Sequence, residues 1–190
     1  MLSILFYIFV IIIIFILLFT SILLFLWVIG NMRSRVPFVT ASNGVLKDIQ
    51  EAFSLKDDSV IYDLGCGDGR ILFYLSSSFP KAKYIGIEHS WFPFILAKVG
   101  SFINRKKTGN NVEIFQADFF KTDLSNATHI FTYLYPNIMD ELLSKFEKEF
   151  KSGTKLVSLS FKFTNKIPIK EIDLARSKYK LGRKLYVYQF

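Results

Sequence analysis

Hydrophobic and polar positions divide the chain sharply. Residues 1–32 carry no Asp, Glu, Lys or Arg, and SILFYIFVIIIIFILLFTSILLFLWVIG runs apolar over 28 residues, with Thr20 and Ser21 its only polar interruption past Ser3. A helix needs about 20 such residues to cross a hydrocarbon core roughly 30 Å thick. A longer run spans with some tilt or a protruding end. A cleaved leader would show a charged start, a shorter apolar stretch and a small-residue cleavage site. This run instead ends in Trp27, Val28, Ile29, Gly30, Asn31 and Met32. A core helix of this length would show a polar face, and there is none. The pattern predicts a retained transmembrane anchor over 1–32, with Trp27 at an interface, and a separate domain over 33–190.

Beyond the run the periodicity changes repeatedly. RVPFVTAS (35–42) reads as a connection, and Ser42 or Asn43 caps a helix over 43–54 whose apolar positions Val45, Leu46, Ile49, Ala52 and Phe53 recur at helical spacing. SVIYDL (59–64), YIGIE (84–88), VEIFQA (112–117), HIFTYL (129–134) and TKLVSLSF (154–161) have the apolar, β-branched character of buried strands. Between them, 70–79, 91–105 and 138–150 have helical spacing; the last presents Met139, Leu142, Leu143, Phe146 and Phe150 on one side. A final pair, 172–179 and 184–190, predicts a hairpin turning through Lys180–Arg183. Alternating strands and helices imply an α/β, doubly wound, mostly parallel sheet covered on both faces, with the hairpin adding antiparallel strands at one edge.

Charge adds orientation. The net charge is +8, and Arg33 and Arg35 directly follow the apolar run. The positive-inside tendency then places 33–190 in the cytoplasm. The basic excess fits a face held against anionic lipid better than nucleic acid, because the lysines are dispersed. Arg105-Lys106-Lys107 is the longest basic run and reads as a solvated helix end. The single cysteine, Cys66, excludes an intrachain disulfide. His89 and His129 do not match a zinc pattern with Cys66, so no metal is expected.

Candidate chemistry centres on IYDLGCGDGR (61–70), which joins a strand to a helix. In such sheets ligands bind beyond the carboxyl ends of the strands. Gly65, Gly67 and Gly69 let backbone approach a ligand, with Cys66 in a small-residue slot. A dinucleotide fingerprint spaces its glycines G-x-G-x-x-G and holds a pyrophosphate. Here the spacing is G-x-G-x-G, and Asp63 and Asp68 would repel phosphate. They suit the ammonium and sulfonium of S-adenosylmethionine. Glu88 ends the second strand 19 residues after Gly69, where an acid accepts ribose hydroxyls; an exposed strand-end charge is the alternative. Asp118 ends the third, placed to accept from an adenine amino group with Phe119 beside the ring, or to cap a turn. At the fourth, Tyr133 and Tyr135 would wall an acceptor channel with Pro136 fixing the turn, or simply form a stiff strand-to-helix corner. Methyl transfer gains chiefly from alignment and a dry, electron-rich wall.

DLGCGDGR with Glu88 and Asp118 resembles the class I S-adenosylmethionine-dependent methyltransferases, whose sheet is Rossmann-like and seven-stranded. PFVTAS (37–42), DLGCGDGRI, YPNIM and LSFKF (159–163), in that order behind an apolar span, are similar to the family of the ATP synthase c-subunit and adenine nucleotide translocase lysine methyltransferases. The resemblance covers roughly 36–165. It implies protein-lysine N-methylation at a membrane, with Phe38 and Thr40 in a segment closing over the cofactor and Tyr135 and Pro136 in the acceptor wall. The family's Asn-Pro after the ribose acid is His89-Ser90 here. The expectation is a single-pass, microbial plasma-membrane methyltransferase modifying a protein lysine. A lipid or quinone methyltransferase and a non-catalytic cofactor-binding scaffold are the alternatives. A base-directed enzyme would show D/N-P-P-Y/F at the fourth strand, where Tyr135-Pro136 stands, so no specific nucleic acid is expected.

Overall fold

Uniformly apolar sequence without glycine or proline before Gly30 favours one unbroken helix, and Leu2–Met32 forms it (α1). The coordinates are a computed structural model, which describes residues 2–32, 40–174 and 183–190. Within α1, Ile4–Phe25 is long and apolar enough to cross a membrane. Its Thr20 and Ser21 hydroxyls are satisfied within the helix: Thr20 Oγ1 donates to the Leu17 carbonyl (3.0 Å) and Ser21 Oγ to that of Leu18 (2.8 Å). The Trp27 side chain and Phe38 lie outside what is described. The chain divides into two units at Pro37–Phe38.

The second unit opens with a 3-10 turn, Asn43–Val45, started by Ser42, whose Oγ accepts from Gly44 N–H. It leads into α2 (Leu46–Phe53), inside the range read from the sequence. β1 (Val60–Leu64), α3 (Arg70–Ser78), β2 (Lys83–Glu88), α4 (Trp91–Thr108), β3 (Val112–Gln116), β4 (His129–Thr132), α5 (Pro136–Glu149) and β5 (Lys155–Leu159) follow in the predicted alternation. β6 (Lys170–Asp173) and β7 (Lys184–Gln189) close the chain. The seven strands are ordered β3-β2-β1-β4-β5-β7-β6, with β1 to β5 parallel and β7 antiparallel to both its neighbours. The Rossmann-like methyltransferase sheet is therefore present.

Three details refine the sequence reading. The first hairpin strand is described over Lys170–Asp173, starting before the expected 172, and the rest of its expected range from 175 lies outside the described residues. The hairpin also does not add its strands in chain order. β7 docks on β5 and the earlier β6 takes the edge. Burial explains this: Leu185, Val187 and Tyr188 of β7 are buried, whereas β6 offers Lys, Glu and Asp suited to an open edge. Third, helices do not cover the two faces equally. α2, α3 and α4 share one core with Ile61, Tyr84, Phe131 and Val157. Among the described residues the other face carries α5 alone, docked through a ring cluster in which Phe163 packs on Tyr188 (4.8 Å) and Phe146 on Phe163 (6.3 Å).

Candidate active site

The site forms where β1 and β2 end side by side, with Asp63 opposite Gly86 in register. The loop after β1 is laced to β2: Gly65 N–H and Cys66 N–H both donate to the Ile87 carbonyl (2.8 and 3.1 Å), and Gly67 N–H donates to Glu88 Oε2 (3.0 Å). Gly69 occupies the left-handed region (φ +79°) at the entry to α3, and a Cβ there would meet the Phe73 ring at 2.7 Å. Only glycine fits both demands.

Asp63 is 2% exposed and Glu88 8%. Burial, then the charges of Glu88 and Asp68, push the Asp63 carboxyl well above the usual carboxylate range. Burial raises Glu88 too, offset in part by N–H donors from Ser90 and Gly67. Among the described residues no cation pairs with either acid. Asp68 differs: Arg70 binds it with Nη2–Oδ2 at 2.6 Å and Nε at 3.0 Å to both oxygens. Its charge is thus answered within the chain. The enclosed, uncompensated negative charge of Asp63 and Glu88 fits a cationic ligand, as S-adenosylmethionine is, and is hostile to phosphate.

Arg70 also donates from Nη1 to the Ala41 carbonyl (3.0 Å), tying the segment that contains half-buried Thr40 to the glycine loop. Sequence reasoning misses this role, since only the pairing across 29 positions shows it. Asp118 closes a turn: Oδ1 accepts from Phe120 N–H (2.9 Å), and Lys121 and Thr122 N–H bind its carbonyl. Phe119 is buried beside Phe120. Cys66 is buried, and burial pushes its thiol up, unlike a nucleophile. His89 is exposed. His129 starts β4, at the opposite end of the sheet, packed on Phe53; burial and nearby Lys155 lower it to about 4.

At the tip of β4, Tyr133 and Tyr135 both meet Phe161 (ring centroids 6.0 and 5.1 Å). Tyr133 also bonds Ser160, and burial raises its hydroxyl, which stays protonated at neutral pH. Ser160 holds a left-handed backbone (φ +68°), the Ser158 hydroxyl caps the Phe161 carbonyl, and Ser160 N–H donates to Lys184 O. A strained turn thus fixes a three-ring wall. In the sequence Phe161 stands out only as part of LSFKF; its place opposite the tyrosines depends on β5 lying beside β4. Pro136 is exposed at the start of α5.

The ANTKMT methyltransferase domain model matches residues 63–170. A protein-lysine N-methyltransferase of Saccharolobus islandicus is 32% identical over 126 residues, covering 66% of this chain and 77% of that protein. The ATP synthase c-subunit lysine N-methyltransferase of Homo sapiens is 20% identical over 133 residues, covering 70% of this chain and 55% of that protein. A solved RNA methyltransferase from Salinibacter ruber, in complex with S-adenosyl-L-homocysteine, superposes with a TM-score of 0.71 at 27% identity, over 80% of this chain and 93% of that one.

Proposed function

The chain belongs to the ANTKMT methyltransferase-domain family and is an S-adenosylmethionine-dependent methyltransferase, and on that footing we propose that it methylates a lysine of a membrane-associated protein while anchored by α1. When bound, the cofactor supplies an electrophilic methyl group on sulfur. In this reading Asp63 and Glu88 hold its cationic and ribose portions, and the loop Gly65–Gly69 accommodates its backbone-close approach. Asp118 and Phe119 border the adenine. The segment at Thr40, held by the Arg70 link to Ala41, closes the site; the role the resemblance gives Phe38 lies outside the described residues.

The observation that carries the acceptor assignment is the ring wall of Tyr133, Tyr135 and Phe161. Aromatic faces stabilise the positive charge that a lysine nitrogen gains on alkylation. They also exclude water from an in-line displacement. Tyr133 is held protonated, so it orients the acceptor rather than accepting its proton. The names of the archaeal and vertebrate relatives support lysine as the acceptor. Arg33 and Arg35 behind the span support a cytoplasmic 33–190. Residues 1–32 are the anchor and 33–190 the catalytic domain on this reading.

The test incubates host membranes and the full chain with methyl-labelled cofactor. Label should reside on protein and be recovered as methyllysine. Label in lipid, quinone or RNA would refute the assignment. Tyr135→Leu should leave cofactor affinity within about twofold while lowering turnover by roughly tenfold, on the order of one lost cation–ring contact.

A further inference from the structure

α4 is built inside out. On a surface helix of a globular protein the large apolar residues face the core. Past Phe94, which is partly buried against the core, the inward positions are small or polar: Ala97 is buried, Ser101 Oγ donates to the Val112 carbonyl, and Asn104 reaches Ser76 (3.3 Å). Gly100 lies so close to Phe73 that a Cβ would meet its ring at 2.6 Å. The outward positions are Ile95, Leu96, Val99, Phe102 and Ile103, between 39% and 60% exposed. Phe115 on adjoining β3 is 47% exposed, and Lys98 stands over its ring at 6.0 Å.

We propose that this face of α4 lies on an anionic lipid bilayer. α4 contains no acid and four cations: Lys98, Arg105, Lys106 and Lys107. Lys106 Nζ sits 4.5 Å from the Phe102 ring centre, a cation held at the border of the apolar stripe. Large apolar side chains bordered by Lys and Arg are the chemistry of a helix lying in a membrane interface. A second copy of this chain fits worse, because an isologous contact would bring the same cations against each other. Nucleic acid would leave five large apolar side chains without a partner. α4 begins at Trp91, next to Ser90, whose N–H binds Glu88 Oε1 (2.8 Å). A bilayer-bound α4 therefore sets the rim of the cofactor site at the interface, where a lysine of a membrane protein is found.

Nitroxide accessibility on the full chain in vesicles tests this. Cys66 is buried and the parent chain controls for its labelling. Labels replace Val99 on α4, Lys148 on α5 as an aqueous reference, and Ile14 within α1. In vesicles of phosphatidylcholine with phosphatidylglycerol, the oxygen-to-nickel-chelate collision ratio at position 99 should exceed that at 148 by about threefold or more. Phe102→Asp, or joint Lys98, Lys106 and Lys107→Gln, should lower it towards the reference. Equal ratios at 99 and 148, or dipolar broadening between labels on two copies, overturn the proposal. The label at 14 reports insertion of α1 separately. Recovery of methyllysine in the preceding assay does not depend on either ratio, so the readings fail independently.

Discussion

At the tip of β1 the Asp63 carboxylate is enclosed beside two other acids, which weakens the apo fold and prepares the site for a cation. A carboxyl whose folded value is raised above its unfolded one contributes instability at neutral pH, relieved as pH falls. Asp63→Asn should therefore stabilise the protein, by about 1–3 kcal/mol, while weakening cofactor binding at least roughly tenfold. Only the ionised acid attracts an ammonium. Wild-type affinity should thus decline as pH drops from 8 towards 5, sooner than an ordinary carboxylate would allow, and the Asn variant should show a flatter profile. Thermal unfolding and calorimetry across that range measure both; a destabilised Asn variant would contradict the account. Arg70 and Phe161 mark the boundary of legibility at this scale. Their residue types were plain, but their partners Ala41 and Tyr133 lie 29 and 28 positions away.

Among the elements, the β1–α3 junction has the least latitude. Gly69 combines a left-handed backbone with a 2.7 Å approach to Phe73, whereas Gly109, ending α4, has φ +76° and open space around its would-be Cβ. Gly109→Ala should cost only the backbone term, about 1 kcal/mol, and leave cofactor affinity unchanged. Gly69→Ala should cost more, about 2–3 kcal/mol, and weaken cofactor binding as Phe73 and the loop shift. Denaturant midpoints with parallel titrations separate the two; equal losses would show that crowding at Phe73 is unimportant. The strands and helices themselves were legible because buried strands are short apolar runs and helices repeat every 3.6 residues. Ends were less so: the fourth strand stops at Thr132 rather than 134, since the chain turns into the corner that presents Tyr133 and Tyr135.

For the whole molecule, the chain divides into two units at Pro37–Phe38, and the second is expected to fold without α1. A chain of residues 33–190 should fold and bind S-adenosylmethionine within about twofold of the full chain, because the site residues described above lie between Thr40 and Phe161. In fractionation at high salt it should be released from membranes more readily than the full chain, since the charge part of surface binding is screened and an inserted span is not. A truncated chain unable to bind cofactor would refute the division into anchor and domain.

The sequence alone determined the two-part layout, the alternation of elements, the glycine turn and the acids that end β1 and β2. Each rests on local information: periodicity, turn stereochemistry and the position of a residue along its own element. Tertiary structure alone decided that β7 enters the sheet ahead of β6, that Arg70 reaches the Ala41 carbonyl, that Phe161 completes the ring wall, and that α4 turns its large apolar side outward. Those outcomes depend on which distant surfaces meet. A helix stripe has the same pattern in sequence whether it faces a core or a bilayer, and only the packing of Ala97 and Gly100 against the domain shows which side was left over.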